Sequence, residues 1–444
     1  MAEGAVKKPA FAKTQSVCPV CLKVIEAEKV VGEDGFIHMQ KICPVHGGFD
    51  VLLWEGDLVS YLLWDTAGEG DNRPEVTVPA QEGCPHDCGL CEHHESAGCC
   101  VLLELTARCN LRCPVCFASA GEGESEDPAL AEIGRQYDML MARGGPFNIQ
   151  LSGGEPTVRD DLPEIVALGK EKGFAYFQLN TNGLRLAEEP DYAAKLRRAG
   201  VSCAFLQFDG LTDDVYVTLR GKPLLEKKLR AIENCKQGGL PVVLVPTVAP
   251  GVNDQQLGGI LRFAAEQMPA VRGVHLQPIS YFGRCALKAP ALRLTIPRLL
   301  SEIERQTGGV IRQEDFGGGG AESAYCSFHA SYRKNQEGEL VALPRRRSSC
   351  CCQKSSEARD FVADRWGMPE EEVQDAFDEF LLAARENTFT VSGMLFQDAM
   401  NLDLARLRRC YICEVDAARG MVPFCAYNLT DTQGNALYRK GAKE

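Results

Sequence analysis

Three cysteines in RCNLRCPVCF, Cys109, Cys113 and Cys116, sit on one short segment and leave a tetrahedral site one ligand short. An aromatic residue, Phe117, follows the last of them. The same C-x3-C-x2-C spacing stands upstream in GCPHDCGLCE, at Cys84, Cys88 and Cys91. Three thiolates suit a [4Fe–4S] cluster whose fourth iron stays open to another ligand. A different pattern opens the chain: Cys18-x2-Cys21, then Cys43-x2-His46, the two-knuckle spacing of a small ribbon closing around zinc or a mononuclear iron. His46 reads alternatively as a turn residue ahead of Gly47-Gly48.

The chain has 444 residues and 21 cysteines, an odd number of which many lie three or four residues apart. Such neighbours are natural metal ligands and awkward disulfide partners. Cys203, Cys235 and Cys285 stand alone in apolar or helical surroundings and read as buried thiols. The formal charge of -13 argues against a broad electrostatic grip on nucleic acid. No apolar run reaches membrane-spanning length, and the segment MAEGAVKKPAFAKTQS lacks the apolar stretch of a signal peptide. The expectation is a cytoplasmic protein with no nucleic-acid partner and no membrane span.

These residues need elements to hold them. A Gly-, Asp- and Pro-containing linker near residues 66–80 precedes the first triplet. VLLELT, FNIQLS, FAYFQLNTNG, VSCAFLQFD, PVVLVPTV and GVHLQPI read as six strands, separated by helical patterns near 127–142, 161–172, 189–199, 224–238 and 254–267. Parallel returns need crossover helices, so this alternation predicts a parallel sheet, either curled into a partial (β/α)6 barrel or doubly wound. The expected fold class is α/β: the partial barrel, preceded by a small ribbon-like domain and followed by a cysteine-rich extension. The expected domains are residues 1–78, 79–100, 101–295 and 296–444. Beyond residue 300 only TIPRLLSEIERQTG reads as a clear helix, and GGGG at 317–320 reads as a flexible segment.

Ligands in α/β folds bind at the carboxyl ends of strands, and Cys109 lies just past the first strand. After the second comes SGGEP, Ser152 to Pro156. Gly153 and Gly154 permit close backbone approach to a ligand, and Glu155 offers an acceptor for a cationic amine. Asn180, Asn182, Gln207, Asp209, His275 and Gln277 fall at other strand ends. Helix capping is the better reading for Asp209 and a fair one for Asn180. Gln207 and Gln277 are candidate cofactor or substrate contacts. Arg159 reads as an anion-positioning group or a solvated partner of Asp160 or Asp161.

The cysteine triplet followed by Phe117, with Gly153-Gly154-Glu155-Pro156 after the next strand, resembles the radical S-adenosylmethionine (SAM) superfamily over roughly residues 100–285. The resemblance implies that the open iron chelates the amino and carboxylate groups of SAM. Reductive cleavage then yields methionine and a 5'-deoxyadenosyl radical. It also places Phe117 near the adenine and the Gly153–Pro156 loop near the methionyl amine. Ser152, Asn182 and Gln207 are further candidate cofactor contacts; no residue is singled out as catalytic.

CPVCLKVI, CPVHGGF, CPHDCGLC, LSGGEPTVRDDLPEI and VPFCAYNLT extend the resemblance to the class D radical SAM methyltransferases and archaeal tetraether lipid synthases. GCCVLLELT is similar to the bacterial radical SAM (seleno)protein group TrsS. This subgroup implies auxiliary iron–sulfur clusters, one held by C-terminal cysteines, here Cys410, Cys413 and Cys425. Those three read alternatively as a zinc knuckle or surface thiols. Cys84, Cys88 and Cys91 are assigned an auxiliary cluster, with zinc as the alternative and Cys99, Cys100, a histidine or nothing as fourth ligand. Cys326, His329 and Cys350–Cys352 read equally as a metal site, a redox-active thiol set or a disordered loop. The implied activity is one-carbon transfer to a small or medium substrate, with reduced ferredoxin or flavodoxin as electron donor. The alternatives are radical coupling of lipid chains and a non-catalytic multi-cluster electron carrier.

Overall fold

The computed structural model describes residues 10–65, 73–74, 78–121, 126–287, 293–319, 322–344, 355–367 and 375–439. Most of the expected linker near 66–80, and Cys350–Cys352, lie outside these residues.

Four antiparallel strands, β1 (Ala10–Val17), β2 (Val24–Val31), β3 (Ile37–Cys43) and β4 (Gly47–Trp54), form the N-terminal sheet in that order. Alternate residues such as Ile25, Ala27, Ile37 and Met39 turn inward and are buried. The tight turns after β1 and β3 carry the two cysteine knuckles. This sheet is latched to the far end of the chain by a buried lysine. Lys41 Nζ donates to Ser16 Oγ (3.0 Å), the Val17 carbonyl (2.8 Å) and the Ala399 carbonyl (2.9 Å). Lys29 pairs with the buried Asp403 at 2.8 Å.

The six expected strands are present: β5 (Cys100–Glu104), β6 (Asn148–Ser152), β7 (Phe177–Thr181), β8 (Cys203–Gln207), β9 (Val242–Val245) and β10 (Val271–Pro278). They are parallel and lie side by side in chain order. A doubly wound sheet would reverse its order at a switch point. None occurs here, and the partial-barrel arrangement stands. The crossovers are α1 (Leu130–Ala142), α2 (Leu162–Glu171), α3 (Leu184–Glu188), α4 (Tyr192–Ala199), α5 (Asp213–Arg220), α6 (Leu225–Gln237) and α7 (Leu257–Glu266); α8 (Ile296–Thr307) follows β10. Of these, α3 and α5 were not expected from the sequence.

Strand alternation divides the sheet into two faces. Val101, Ile149, Leu179, Leu206, Leu244 and Val274 join the main apolar core. Each such side chain stabilises the fold by roughly 1.5–3 kcal/mol relative to exposure. Their neighbours Gln150, Gln178, Asn180, Gln207 and His275 face a cavity instead.

The irregular-looking C-terminal third extends this sheet at both edges. β11 (Ser327–Lys334) pairs antiparallel with β12 (Thr388–Met394), which is parallel to β10. At the other edge β13 (Ile412–Asp416) is parallel to β5, and β14 (Gly420–Pro423) turns back antiparallel. The glycine run expected to be flexible is partly ordered, since Gly317 and Gly318 pair with His329 and Phe328. The ladder's backbone bonds hold them despite the absence of side chains. A further helix, α9 (Ser355–Trp366), packs Val362, Ala363 and Trp366 against Tyr176, Cys203, Phe205 and Val243 near the strand starts.

The β10–β12 junction is tight: a Cβ on Gly273 would lie 2.0 Å from the Thr390 carbonyl oxygen. Gly273→Ala is expected to wedge the two strands apart and cost at least about 1–3 kcal/mol. Thermal unfolding checks this, and an unchanged Tm would contradict the pairing.

Candidate active site

The two loops singled out by their residues meet above the strand ends. The Gly154 amide donates to the Thr106 carbonyl at 2.7 Å, and the Glu155 amide to that of Arg108 at 2.9 Å. Gly153 has φ +116°, and a Cβ there would stand 2.3 Å from the Thr106 oxygen; on Gly154 it would stand 2.1 Å from the Arg108 oxygen. The two glycines serve the approach of this loop to the cysteine loop's backbone, and both also border the cavity where a ligand would lie.

Glu155 is 1% exposed and acts as the hub of this junction. Its Oε1 accepts from the Thr157 amide (3.1 Å), Thr157 Oγ1 (2.6 Å) and Thr181 Oγ1 (2.7 Å), and its Oε2 from the Asn182 amide (2.7 Å). A carboxylate has about four acceptor positions. Oε1 takes three of these bonds and Oε2 one, which leaves Oε2 a lone pair for a ligand in the cavity that Glu155 lines. Pro156 packs behind the loop at the start of a 3-10 turn and is buried. Asn182 Nδ2 reaches Asn110 Oδ1 at 2.7 Å, and its Oδ1 caps α3 through the Leu184 amide at 3.0 Å.

Three cations hold the cysteine loop and its surroundings. Arg284 donates to the Cys113 carbonyl (2.8 Å) and the Ala120 carbonyl (3.0 Å). Arg220 donates to the Val115 carbonyl (3.1 Å) and forks onto Asp209, with both bonds at 2.7 Å. Asp209, fully buried, also accepts from the Thr247 amide at 3.0 Å. It is thus a buried ion-pair partner and no helix cap. Lys228, also fully buried, donates to the Asn182 carbonyl (2.5 Å) and Gln207 Oε1 (3.3 Å), and burial pulls its pKa down to about 8. Burial pushes the Cys109 thiol up to about 12 and raises that of Cys113. Thiols in that state become ligands only when a cation supplies the charge that burial withholds. Arginine 159, in contrast, is used up structurally. It pairs with Asp161 (2.6 Å) and donates to the Leu105 and Pro128 carbonyls at 2.9 and 2.8 Å.

Cys109, Cys113, Cys116, Phe117, Ser152, Gly153, Gly154, Glu155, Asn182 and Gln207 all border one cavity of about 1190 Å³. Its floor is an amide chain: Gln178 Nε2 donates to Asn180 Oδ1 (2.7 Å), and Asn180 Nδ2 to Gln150 Oε1 (3.3 Å). An aromatic wall stands beside it, where Phe205 meets Trp366 edge-on at 5.8 Å and His275 at 5.7 Å. Gln150, Gln178, Phe205, Arg220, Lys228 and Trp366 escaped the sequence reading. For Gln150 and Gln178 a signal existed, because each lies two residues before a noted strand-end residue and so on the same face.

In the ribbon, Cys18, Cys21, Cys43 and His46 bring one ligand atom each to within 4.8 Å of one another. Hydrogen bonds, first from the Val45 amide, pull the Cys43 thiol down to about 6. The donor set and its convergence fit a single tetrahedral ion. Among the described residues no other group of three or more ligands converges so tightly. The three thiols of the Cys109–Cys116 loop do not converge on one point in this way, which fits a [4Fe–4S] cluster that takes each thiolate at its own iron. At the C-terminus, Cys410 and Cys425 stand near Cys326, with Cys413 next to Cys410 on the main-core side.

Residues 103–264 match the radical SAM superfamily, and residues 10–55 match the HMPTM N-terminal zinc ribbon domain. The chain thus carries a radical SAM domain behind an N-terminal zinc ribbon. It is 45% identical over 309 residues to the 7,8-dihydro-6-hydroxymethylpterin dimethyltransferase of Methanocaldococcus jannaschii, covering 68% of this chain and 60% of that protein. It is 37% identical over 151 residues to the Fe-coproporphyrin III synthase of Methanosarcina barkeri, covering 33% of this chain and 36% of that one. The chain thus spans 60% or less of these relatives. Streptococcus suis SuiB bound to S-adenosylmethionine superposes with a TM-score of 0.41 and 15% identity over 48% of each chain. No described helix is long and apolar enough to cross a membrane.

Asp209→Ala leaves Arg220 charged and buried without its partner. A loss of roughly 3–5 kcal/mol is expected, read by denaturant unfolding. Burial also depresses the His275 pKa to about 4, against about 6.5 in an unfolded chain. Its contribution to stability is complete above about pH 6.5 and lost as pH falls through about 4, because only the unfolded chain takes up the proton in between. Unfolding of wild type and His275→Gln compared at several pH values should show the shallower slope for the variant over that window.

Proposed function

We propose that this chain is a radical SAM methyltransferase acting on a small, planar, amide-bearing heterocycle of the pterin type. The carrying observation is the single cavity in which the Cys109–Cys116 loop, the amide floor and the aromatic wall all meet. Among the described residues the amide chain leaves Gln150 Nε2 as a spare donor and Gln178 Oε1 as a spare acceptor. That pair complements the lactam edge of a heterocycle, and Phe205 and Trp366 offer flat apolar surface to its ring. Methyl transfer is supported by the likeness to a pterin dimethyltransferase. Lipid-chain coupling fits less well, since an alkyl chain would leave the floor amides unpaired.

In this reading Cys109, Cys113 and Cys116 hold a [4Fe–4S] cluster, which supplies the electron that cleaves SAM to methionine and a 5'-deoxyadenosyl radical. The chain's own residues do the rest. Arg220 and Arg284 fix the loop carbonyls and set positive charge beside the thiolates. Glu155 presents its spare Oε2 position to the methionyl amine, and Phe117 provides a face for the adenine. The ribbon holds zinc or iron. Cys84, Cys88 and Cys91 hold one auxiliary cluster; Cys410, Cys413 and Cys425, with Cys326 adjoining, hold another. A reduced ferredoxin or flavodoxin supplies electrons. The proposed division is a ribbon (1–78), an auxiliary-cluster segment (79–100), a SAM-binding barrel (101–295) and a C-terminal region completing the substrate pocket (296–444).

The test is an anaerobic assay of the reconstituted, dithionite-reduced protein with SAM and a 6-hydroxymethylpterin. Both 5'-deoxyadenosine and S-adenosylhomocysteine are expected, both lost in Cys116→Ala. Gln178→Leu should raise KM at least about 10-fold, the cost of one hydrogen bond to a buried ligand. Formation of 5'-deoxyadenosine without S-adenosylhomocysteine or methylated product would reject methyl transfer.

A further inference from the structure

We propose that His94, through Nδ1, is the fourth ligand of the auxiliary cluster held by Cys84, Cys88 and Cys91. The inference rests on reading that triplet as a cluster site. CEHHESAGCC offers four candidates, His93, His94, Cys99 and Cys100. Cys99 and Cys100 enter β5 with their sulfurs 3.5 Å apart, and Cys100 borders the large cavity. Neither borders the small cavity between Cys84, Cys88 and Cys91, whereas both histidines do.

The two histidines differ sharply. His93 has a side chain 53% exposed and lies 3.9 Å from its neighbour Glu92. His94 is 5% exposed and held in place twice: its amide donates to the Cys91 carbonyl at 2.9 Å, and Nε2 lies 2.8 Å from the Cys410 carbonyl oxygen. A carbonyl oxygen only accepts, so Nε2 carries the proton. In a neutral imidazole that leaves Nδ1 with a bare lone pair, and it has no hydrogen-bond partner among the described residues. A ring nitrogen whose opposite N–H is donated to a backbone carbonyl is the usual arrangement of a metal-bound histidine.

The donor set is therefore three thiolates and one imidazole. Exchange of thiolate for neutral imidazole raises a cluster's reduction potential. The Cys410 carbonyl that orients His94 belongs to the C-terminal cysteine set, so the two auxiliary sites share a backbone contact.

The full chain, carrying 15N-imidazole histidine and reconstituted with iron and sulfide, is reduced without SAM and measured by pulsed EPR. Wild type should show histidine-nitrogen hyperfine coupling to a cluster. His93→Ala should keep the coupling and His94→Ala should lose it. His94→Cys should keep its iron, lack the coupling and shift that cluster's potential to more negative values. Absence of coupling in wild type, its persistence in His94→Ala, or its loss in His93→Ala would overturn the assignment. Iron analysis of a Cys84→Ala, Cys88→Ala, Cys91→Ala variant tests the underlying reading separately. Loss of about four irons per chain supports the cluster; unchanged iron overturns the cluster itself, whereas loss of iron without nitrogen coupling in wild type overturns His94 alone.

Discussion

The contact on which the site depends is backbone against backbone. The Ser152–Pro156 loop seats on Thr106–Arg108 through two amide bonds, at a distance that no residue with a Cβ could reach at Gly153 or Gly154. Glu155 then gathers Thr157, Thr181 and the Asn182 amide around one carboxylate. Three consecutive strand ends are locked together in this way, before any ligand enters. Preorganisation of this kind matters because a ligand held by many weak contacts loses most of them to a displacement of about 1 Å.

The charge pattern follows from that geometry. Burying the cysteine loop raises the Cys109 and Cys113 thiols, and the protein answers with arginines whose other hydrogen bonds leave them no alternative position. Arg220 cannot swing away without stranding Asp209, which is fully buried. Lys228 is held by the Asn182 carbonyl on the same network. The cost of burying these cations is met by partners they share with the site, so the ion pairs specify position more than they add stability.

Much of this was legible in the sequence, and the failures have physical reasons. The six parallel strands stood out because one face of each is largely apolar and helices separate them. β11 and β12 did not, because His329, Ser331, Thr390 and Ser392 face the cavity and dilute the apolar pattern. The pairing of β12 with β10 also spans more than a hundred residues, which no local window reports. α5 hid because its sequence, DDVYVTLR, mixes acidic and β-branched residues. Lys228 looked like any solvent-facing lysine in LEKKLRAIENCKQ; only the fold shows it turned inward. The cysteine motifs fared better because ligand spacing is a property of the local chain. Which thiols come into one neighbourhood across the chain, as Cys326 does with Cys410 and Cys425, is a property of the topology.

That topology makes the C-terminal segment the part that joins the separate centres. Tyr438 accepts from the Cys88 amide (2.9 Å) and donates to the Pro85 carbonyl (2.5 Å), fixing the first triplet's turn. The next residue, Arg439, stacks over Phe117 at 5.8 Å and pairs with Glu104 at 2.7 Å. Asp403 anchors the ribbon through Lys29 and Thr14. One strap thus touches the ribbon, the first triplet and the aromatic beside the second, while β13 and β14 in the same segment complete the sheet edge. A chain with several separate cysteine sets gains from this arrangement, since the sets are fastened to one another and to the barrel by the same residues. Release of the strap would loosen all of them together.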